Sequence, residues 1–516
     1  MPIFSNAQGL VINNSQFTDQ QINQVASGPT GIDILFGATI PEAAYNSSAR
    51  DQPPLCFPGT REQHIEDIVH WAIPAIGSTP SPIFRMNGPA GVGKSAIAQT
   101  CVEKIKAEGK LGAAFFFSID GRNQHTHFFT TVAYQLTTVF PDYHNLIERK
   151  LRRDRTLIDK AVASQFWELI VEPLRELERN GKGIGNRIPI FVDGLDECED
   201  ERAQCTIIEV IATAARDGAT PLCWAFFSRP EPHIEATFSK TDIAVLCHTV
   251  TILPDSSEAK REIELYLRAG FEDILRRHNI SPDHPWPSDN NIKTLTNATN
   301  GLFVYAATTL RFIDRTGSHG PEGPLREVLA VISQNGTTTA PFAELDAFYT
   351  LIMRRIPAKI LLHVRLLLAI LCHLDSSPSA IVMANLLRLS KMEHQTICNR
   401  LSAVLRVSDQ SEIFKLEDGI RTNQPYYQHP KISLDALGKL SDSIFFRSGG
   451  RMTFYHKSFR DFLIDPKRSD VFWFEPCAIY PVLFNHCYKL RLDFENCYRL
   501  CDSSESSGII LIPSCL

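Results

Sequence analysis

The chain has 516 residues, 44% of them hydrophobic, and a formal net charge of −6. That length holds about three domains with real cores. A disordered polymer is excluded, and Lys and Arg scattered under a net negative charge disfavour a nucleic-acid partner. Runs such as Leu366–Cys372 are too short to cross a bilayer, and no charged-then-apolar leader follows Met1. The 13 cysteines include no C-x-x-C pair and read as reduced core thiols, so a cytoplasmic chain with no membrane span is expected.

Residues 1–47 are polar, rich in Asn, Gln, Ser and Gly, and read as a weakly structured segment. The alternation of Leu10, Ile12 and Phe17 leaves a self-pairing strand as the other reading. Prolines punctuate the chain from Pro53 to Pro58. Thr60-Arg61-Glu62-Gln63 then predicts a capping box for a helix carrying Ile65, Ile68, Val69, Ala72 and Ile73.

Next comes an apolar strand, Pro82 to Asn87, followed by Gly88-Pro89-Ala90-Gly91-Val92-Gly93-Lys94-Ser95 and a helix-forming run. Those eight residues satisfy G-x-x-x-x-G-K-[ST] at every fixed position, in the strand-to-helix context that the motif needs. Glycines at 88, 91 and 93 let successive amides converge on phosphate oxygens, Lys94 supplies a point charge, and the Ser95 hydroxyl is a magnesium ligand. A nucleoside triphosphate or diphosphate is the expected ligand.

Beyond it, strand-like runs (Ala113–Phe117, Ile188–Val192, Leu222–Phe227, His248–Leu253) alternate with helical ones (127–139, 163–180, 201–215). This alternation predicts an α/β domain, a parallel sheet with helices on both faces. The third strand ends in Asp193, which is placed to hold Mg2+, and Asp196 and Glu197 follow one turn later. These acids either orient a water against the terminal phosphate or complement a helix dipole. The fourth strand ends in Ser228-Arg229-Pro230, where Arg229 either senses a γ-phosphate or forms a surface ion pair.

After Pro254 helical patterns dominate, at 257–278, 300–315, 344–355 and 359–374, with a Gly/Pro-rich break from Gly317 to Pro324. From 361 to 464 the order is helices, a β-prone pair around Phe445 and Arg451–Tyr455, and a last helix from His456, which suggests a winged helix. Ser411 to Asp442 exceeds what a winged-helix connection needs. Val471 to Leu516 holds one expected helix, four cysteines between Cys477 and Cys501, and an apolar tail, with no repeat period.

Asp193-Gly194-Leu195-Asp196-Glu197, with acids three and four places after the metal Asp, resembles the NACHT class of signal-transduction ATPases, and among them the fungal proteins related to the nephrocystin-3 N-terminal domain. The resembling segments are Pro58–Glu62, Thr131–Leu136, Ser228–Pro230, Asn300–Thr308 and His456–Leu463. The resemblance implies a P-loop NTPase domain (48–254), a helical domain (255–357) and a winged-helix domain (358–466), between the polar segment (1–47) and a helical remnant (467–516). It implies Gly59 and Arg61 near the adenine, Arg229 as first sensor, and His456 on the diphosphate. Phe303 stands where related switches carry a proline, and Lys457 where many carry Asp. It further implies an NLR-like STAND switch with ATP/ADP and Mg2+, GTP being the alternative nucleotide. Hydrolysis would be slow, and the open form would assemble into a homo-oligomer that engages an effector protein, in innate immunity or self/non-self recognition. A phosphoryl-transfer enzyme and a scaffold with structural nucleotide are the competing readings.

Overall fold

The structure, a computed structural model, describes residues 29–50, 53–185, 187–254, 256–281, 285–314, 320–334, 342–373, 380–407 and 451–473, with isolated positions between 481 and 488. Five strands form one parallel sheet: β1 (Ile83–Asn87), β2 (Ala113–Phe116), β3 (Ile188–Asp193), β4 (Leu222–Ser228) and β5 (Cys247–Thr251), in the order β2-β3-β4-β1-β5. Strands β1 to β4 are buried along their whole length, as parallel strands covered on both faces must be.

The covering helices are α1 (Gly31–Gly37), α2 (Glu62–Ala72), α3 (Lys94–Ala107), α4 (Phe128–Val139), α5 (Pro141–Arg153), α6 (Val162–Gln165), α7 (Glu172–Arg179), α8 (Glu201–Arg216), α9 (Pro232–Phe238) and α10 (Thr241–Ala244). The period of two along each strand sorts the core. Phe84, Met86, Phe116, Phe191 and Phe227 pack with α2 and α3, whereas Phe115, Ile190, Val192, Trp224 and Phe226 pack with α1, α4, α5 and α8.

The core on the α2/α3 side continues into a helical region: α11 (Ser257–Arg277), α12 (Asp289–Ala298), α13 (Phe303–Ile313), α14 (Glu322–Gln334), α15 (Ala343–Arg354), α16 (Ala358–His373), α17 (Ala380–Leu386) and α18 (Lys391–Leu401). The chain ends in an antiparallel pair, β6 (Leu405–Val407) and β7 (Met452–Phe454), then α19 (Lys457–Ile464) and α20 (Pro466–Ser469). Leu366–Cys372 is a buried stretch of α16, and among the described residues no helix is long and apolar enough to cross a membrane.

Three expectations change. The segment read as weakly structured is ordered from residue 29: Thr30 and Asp33 form a reciprocal capping box, and Leu35, Ile40 and Ala43 are buried. Composition hid this because short polar stretches surround only a few anchoring side chains. The capping box at Thr60 does not form. The Thr60 hydroxyl donates to Phe57 O, and Arg61, at φ 58°, takes the N-cap position of α2 without a side-chain cap, its own N–H donating to Glu262 Oε1 at 2.6 Å. Of the Gly/Pro-rich break, Glu322 to Pro324 belong to α14, with Pro324 in the first turn, where its missing N–H has no helical partner to lose, while 317–319 lie outside the described residues. Strand β7 pairs with Leu405–Val407. Phe445, Ser411–Asp442, residues 1–28 and most of 474–516 lie outside the described residues.

Candidate functional site

The β1–α3 connection turns sharply at Gly91 (φ 82°) and Gly93 (φ 98°). A Cβ on Gly91 would lie 2.3 Å from Val304 Cγ1, so glycine there serves packing as well as conformation. Above this loop is a cavity of ≈ 240 Å³ lined by Pro54, Leu55, Cys56, Phe57, Thr60, Arg61, Ala90, Gly91, Gly93, Lys94, Ser95, Asp193, Asp196, Glu197, Arg229, Tyr266, Phe303, Val304, Ala307, Arg311, Tyr455 and His456. Residues from four distant parts of the chain therefore share one chamber.

Most of the expected site residues meet here. Gly88, Pro89 and Val92 complete the loop without lining the cavity: Lys94 Nζ donates to Gly88 O at 2.7 Å and Pro89 O at 3.0 Å, and Val92 O accepts from Arg61 Nη2 at 3.0 Å. Gly59 does not line it either; a Cβ there would meet Leu265 at 3.0 Å, and the wall is formed instead by Pro54–Phe57. Arg61 does line it, fixed by Glu262 and lying 5.0 Å from the Phe303 ring centroid. Phe57, Tyr266 and Phe303 make an aromatic group, Phe57 edge-on to Tyr266 at 5.7 Å between centroids and Tyr266 tilted against Phe303 at 6.0 Å.

At the other end the charges gather. Asp193 stands at the carboxyl edge of β3 and lines the cavity with Ser95. Burial pushes its pKa up to about 6, against the pull of Ser95, Arg50 and Lys94. An exposed hydroxyl and a buried carboxylate lining the same cavity fit a divalent cation that takes its remaining ligands from phosphate and water. Burial pulls Lys94 down to about 8 and pushes Glu197 up to about 7, and Glu197 Oε2 accepts from Ile119 N–H at 3.3 Å.

Asp196 is engaged differently. Its Oδ1 accepts from the Arg229 N–H at 3.0 Å, while its Oδ2 lies 3.4 Å from Arg229 Nε and 3.6 Å from Lys457 Nζ. Arg229 Nη1 donates to Asp461 Oδ2 at 2.6 Å. The strand-end arginine is thus bound to the last helix, and Lys457 makes an ion pair that an Asp at that position would not.

His456 caps α19, its Nδ1 accepting from the Ser458 N–H at 3.1 Å, with Ser458 Oγ at 2.7 Å and Tyr349 OH beyond it. An accepting Nδ1 leaves the proton of the neutral ring on Nε2. Burial, then Arg229 and Lys94, hold its pKa down at about 3, so the ring is neutral at pH 7. Tyr266, Arg311, Tyr455 and Asp461 were missed as site residues. Only Asp461 had a signal, since it lies in the His456–Leu463 run.

The family model described as nephrocystin 3, N-terminal, matches residues 64–229. Those residues run from α2 through the phosphate loop to Arg229. The sheet domain is a P-loop NTPase domain. No curated protein matches the chain in sequence. Among solved structures, the chain is similar to AMPPCP-bound DnaA from Aquifex aeolicus, at 13% identity and TM-score 0.30, covering 70% of this chain and 91% of that one. It is also similar to the Aeropyrum pernix Orc1 protein in complex with DNA, at 14% identity and TM-score 0.34, covering 70% and 88%. A third is Cdc6p from Pyrobaculum aerophilum, at 15% identity and TM-score 0.32, covering 71% and 92%.

Proposed function

We propose that the chain is a nucleotide-gated signalling switch of the NLR-like STAND type, in which ADP bound with the phosphate loop holds the P-loop domain, the helical region and the C-terminal region together. The carrying observation is the shared cavity: one ligand there would touch the loop, α13 and His456 at once. Residues 48–254, 255–357 and 358–466 are taken as the P-loop, helical and winged-helix domains, the last supported by the order α16 to α18, β6, β7, α19. The aromatic group at Phe57, Tyr266 and Phe303 suits a purine face. Ser95 and Asp193 would hold Mg2+, which when bound would neutralise charge on the outer phosphates.

In the closed arrangement Arg229 is committed to Asp461 and Asp196, so neither is free for a γ-phosphate or a water. Glu197 is the acid left for proton acceptance, and its raised pKa suits a general base near neutral pH. Slow hydrolysis follows. ATP with Mg2+ would draw Arg229 away from Asp461, release the C-terminal region and permit self-assembly, bringing copies of an N-terminal segment to an effector in innate immunity or self/non-self recognition. Moving such an equilibrium from 1:99 to 99:1 needs about 5.5 kcal/mol of differential binding.

The test is to identify the nucleotide that co-purifies with the full chain, then follow mass and radius by light scattering after exchange of ADP for an ATP analogue with Mg2+. Expansion or assembly with the analogue alone is expected. Equal affinity for both nucleotides with no change in size would replace the switch by a nucleotide-stabilised scaffold.

A further inference from the structure

Across from the phosphate loop, α13 turns one face to the cavity, with Val304, Ala307 and Arg311 spaced by three and four residues along it. Val304 N–H donates to Gly91 O at 3.1 Å, which pins the start of that face to the loop. Arg311 sits two turns on. Its Nε donates to Ala403 O at 2.9 Å and its Nη2 to Thr308 Oγ1 at 3.2 Å, and its guanidinium carbon lies 4.2 Å from the Tyr455 ring centroid. These contacts orient the group without neutralising it.

Among the described residues Arg311 forms no ion pair with a carboxylate, and its Nη1 has no protein partner. A guanidinium keeps its charge at any ordinary pH. A largely buried cation with no counter-ion is costly, and that cost falls when an anion enters beside it. We propose that Arg311 binds the phosphate chain of the nucleotide from the side opposite the phosphate loop. The assignment rests on the nucleotide reading of the cavity. The same guanidinium holds Ala403 O and stacks on Tyr455, so it would carry the ligand's charge to the segment that presents His456.

Calorimetric binding of ADP and of adenosine to the full chain, wild type and Arg311→Gln, tests this. The variant should lose about tenfold or more in ADP affinity, as expected for a charged hydrogen bond, and little for adenosine. Arg311→Lys, which keeps the charge, should recover most of that loss. Equal losses for both ligands, or none, would overturn the assignment. Phenylglyoxal labelling of the wild type, read by peptide mass, covers a variant that fails to fold. ADP or inorganic pyrophosphate should shield Arg311 where adenosine does not, and labelling unaffected by ADP overturns the assignment. A wild-type chain that binds neither ADP nor ATP overturns the nucleotide reading itself, whereas binding unaltered by Arg311→Gln overturns this assignment alone.

Discussion

Single side chains at the cavity carry opposite electrostatic burdens, and each yields a measurement. Lys94 donates to its own loop carbonyls and lines the cavity. Lys94→Ala should lower ADP affinity by roughly 10- to 150-fold, the worth of a charge-assisted hydrogen bond, measured by calorimetry. His456 has its folded pKa depressed to about 3, against an ordinary value of 6.5. Between those values the unfolded chain binds the proton and the folded chain does not, so the wild type loses stability as pH falls from 6.5 towards 3. His456→Gln cannot take that proton. Its denaturation midpoint relative to wild type should therefore improve as pH drops through this window and stay flat above 6.5. A parallel pH profile for the two proteins would remove the buried neutral histidine from the account.

Among elements, the segment from Thr30 to Arg50 departs most from its composition. Gly31 lies so close to α5 that a Cβ would come within 2.4 Å of Glu148 O, Ile40 N–H donates to Thr131, and the Ala38 carbonyl accepts from Thr130. Arg50 then reaches under the sheet, bonded to Gln99 and 3.5 Å from the Phe116 ring centroid. Leu35→Ala should cost about 2–5 kcal/mol of stability by chemical denaturation, as for other buried leucines. A cost near zero would mean that α1 is not docked in solution. A second element, the start of α2, depends on the Arg61–Glu262 pair across to α11. Arg61→Ala strands a buried carboxylate and should cost about 3–5 kcal/mol, with Arg61→Ala/Glu262→Gln recovering part of it. At the β2 edge, the Gln135 side chain bonds both N–H and C=O of Ala114, filling positions that another strand could otherwise take.

For the molecule as a whole, a few charges join the P-loop domain to α19, and in the proposed switch they would hold it closed. Arg229 and Asp461 are both largely buried, and a double-mutant cycle between them should return a coupling of about 0.5–3 kcal/mol. Asp461→Ala should also shift the ADP-bound chain towards the expanded form expected with an ATP analogue, read by light scattering or small-angle scattering. An unchanged radius would place the closing energy elsewhere, in the apolar core shared by the sheet and the helical region.

What the sequence determined by itself is what short-range spacing encodes. The phosphate loop, Ser95, the strand-end Asp193 and the alternation of strands and helices are each written within a few residues, and a parallel sheet brings strand carboxyl ends together by construction. Tertiary structure alone decided which side chains separated by hundreds of residues meet. Arg229 finds Asp461 and Arg61 finds Glu262 because helices dock at particular rotations about their axes. Apolar periodicity marks a buried face but does not name the residue opposite it. For the same reason Arg311 reads as an ordinary helix position until Ala403, Tyr455 and the phosphate loop are assembled around it.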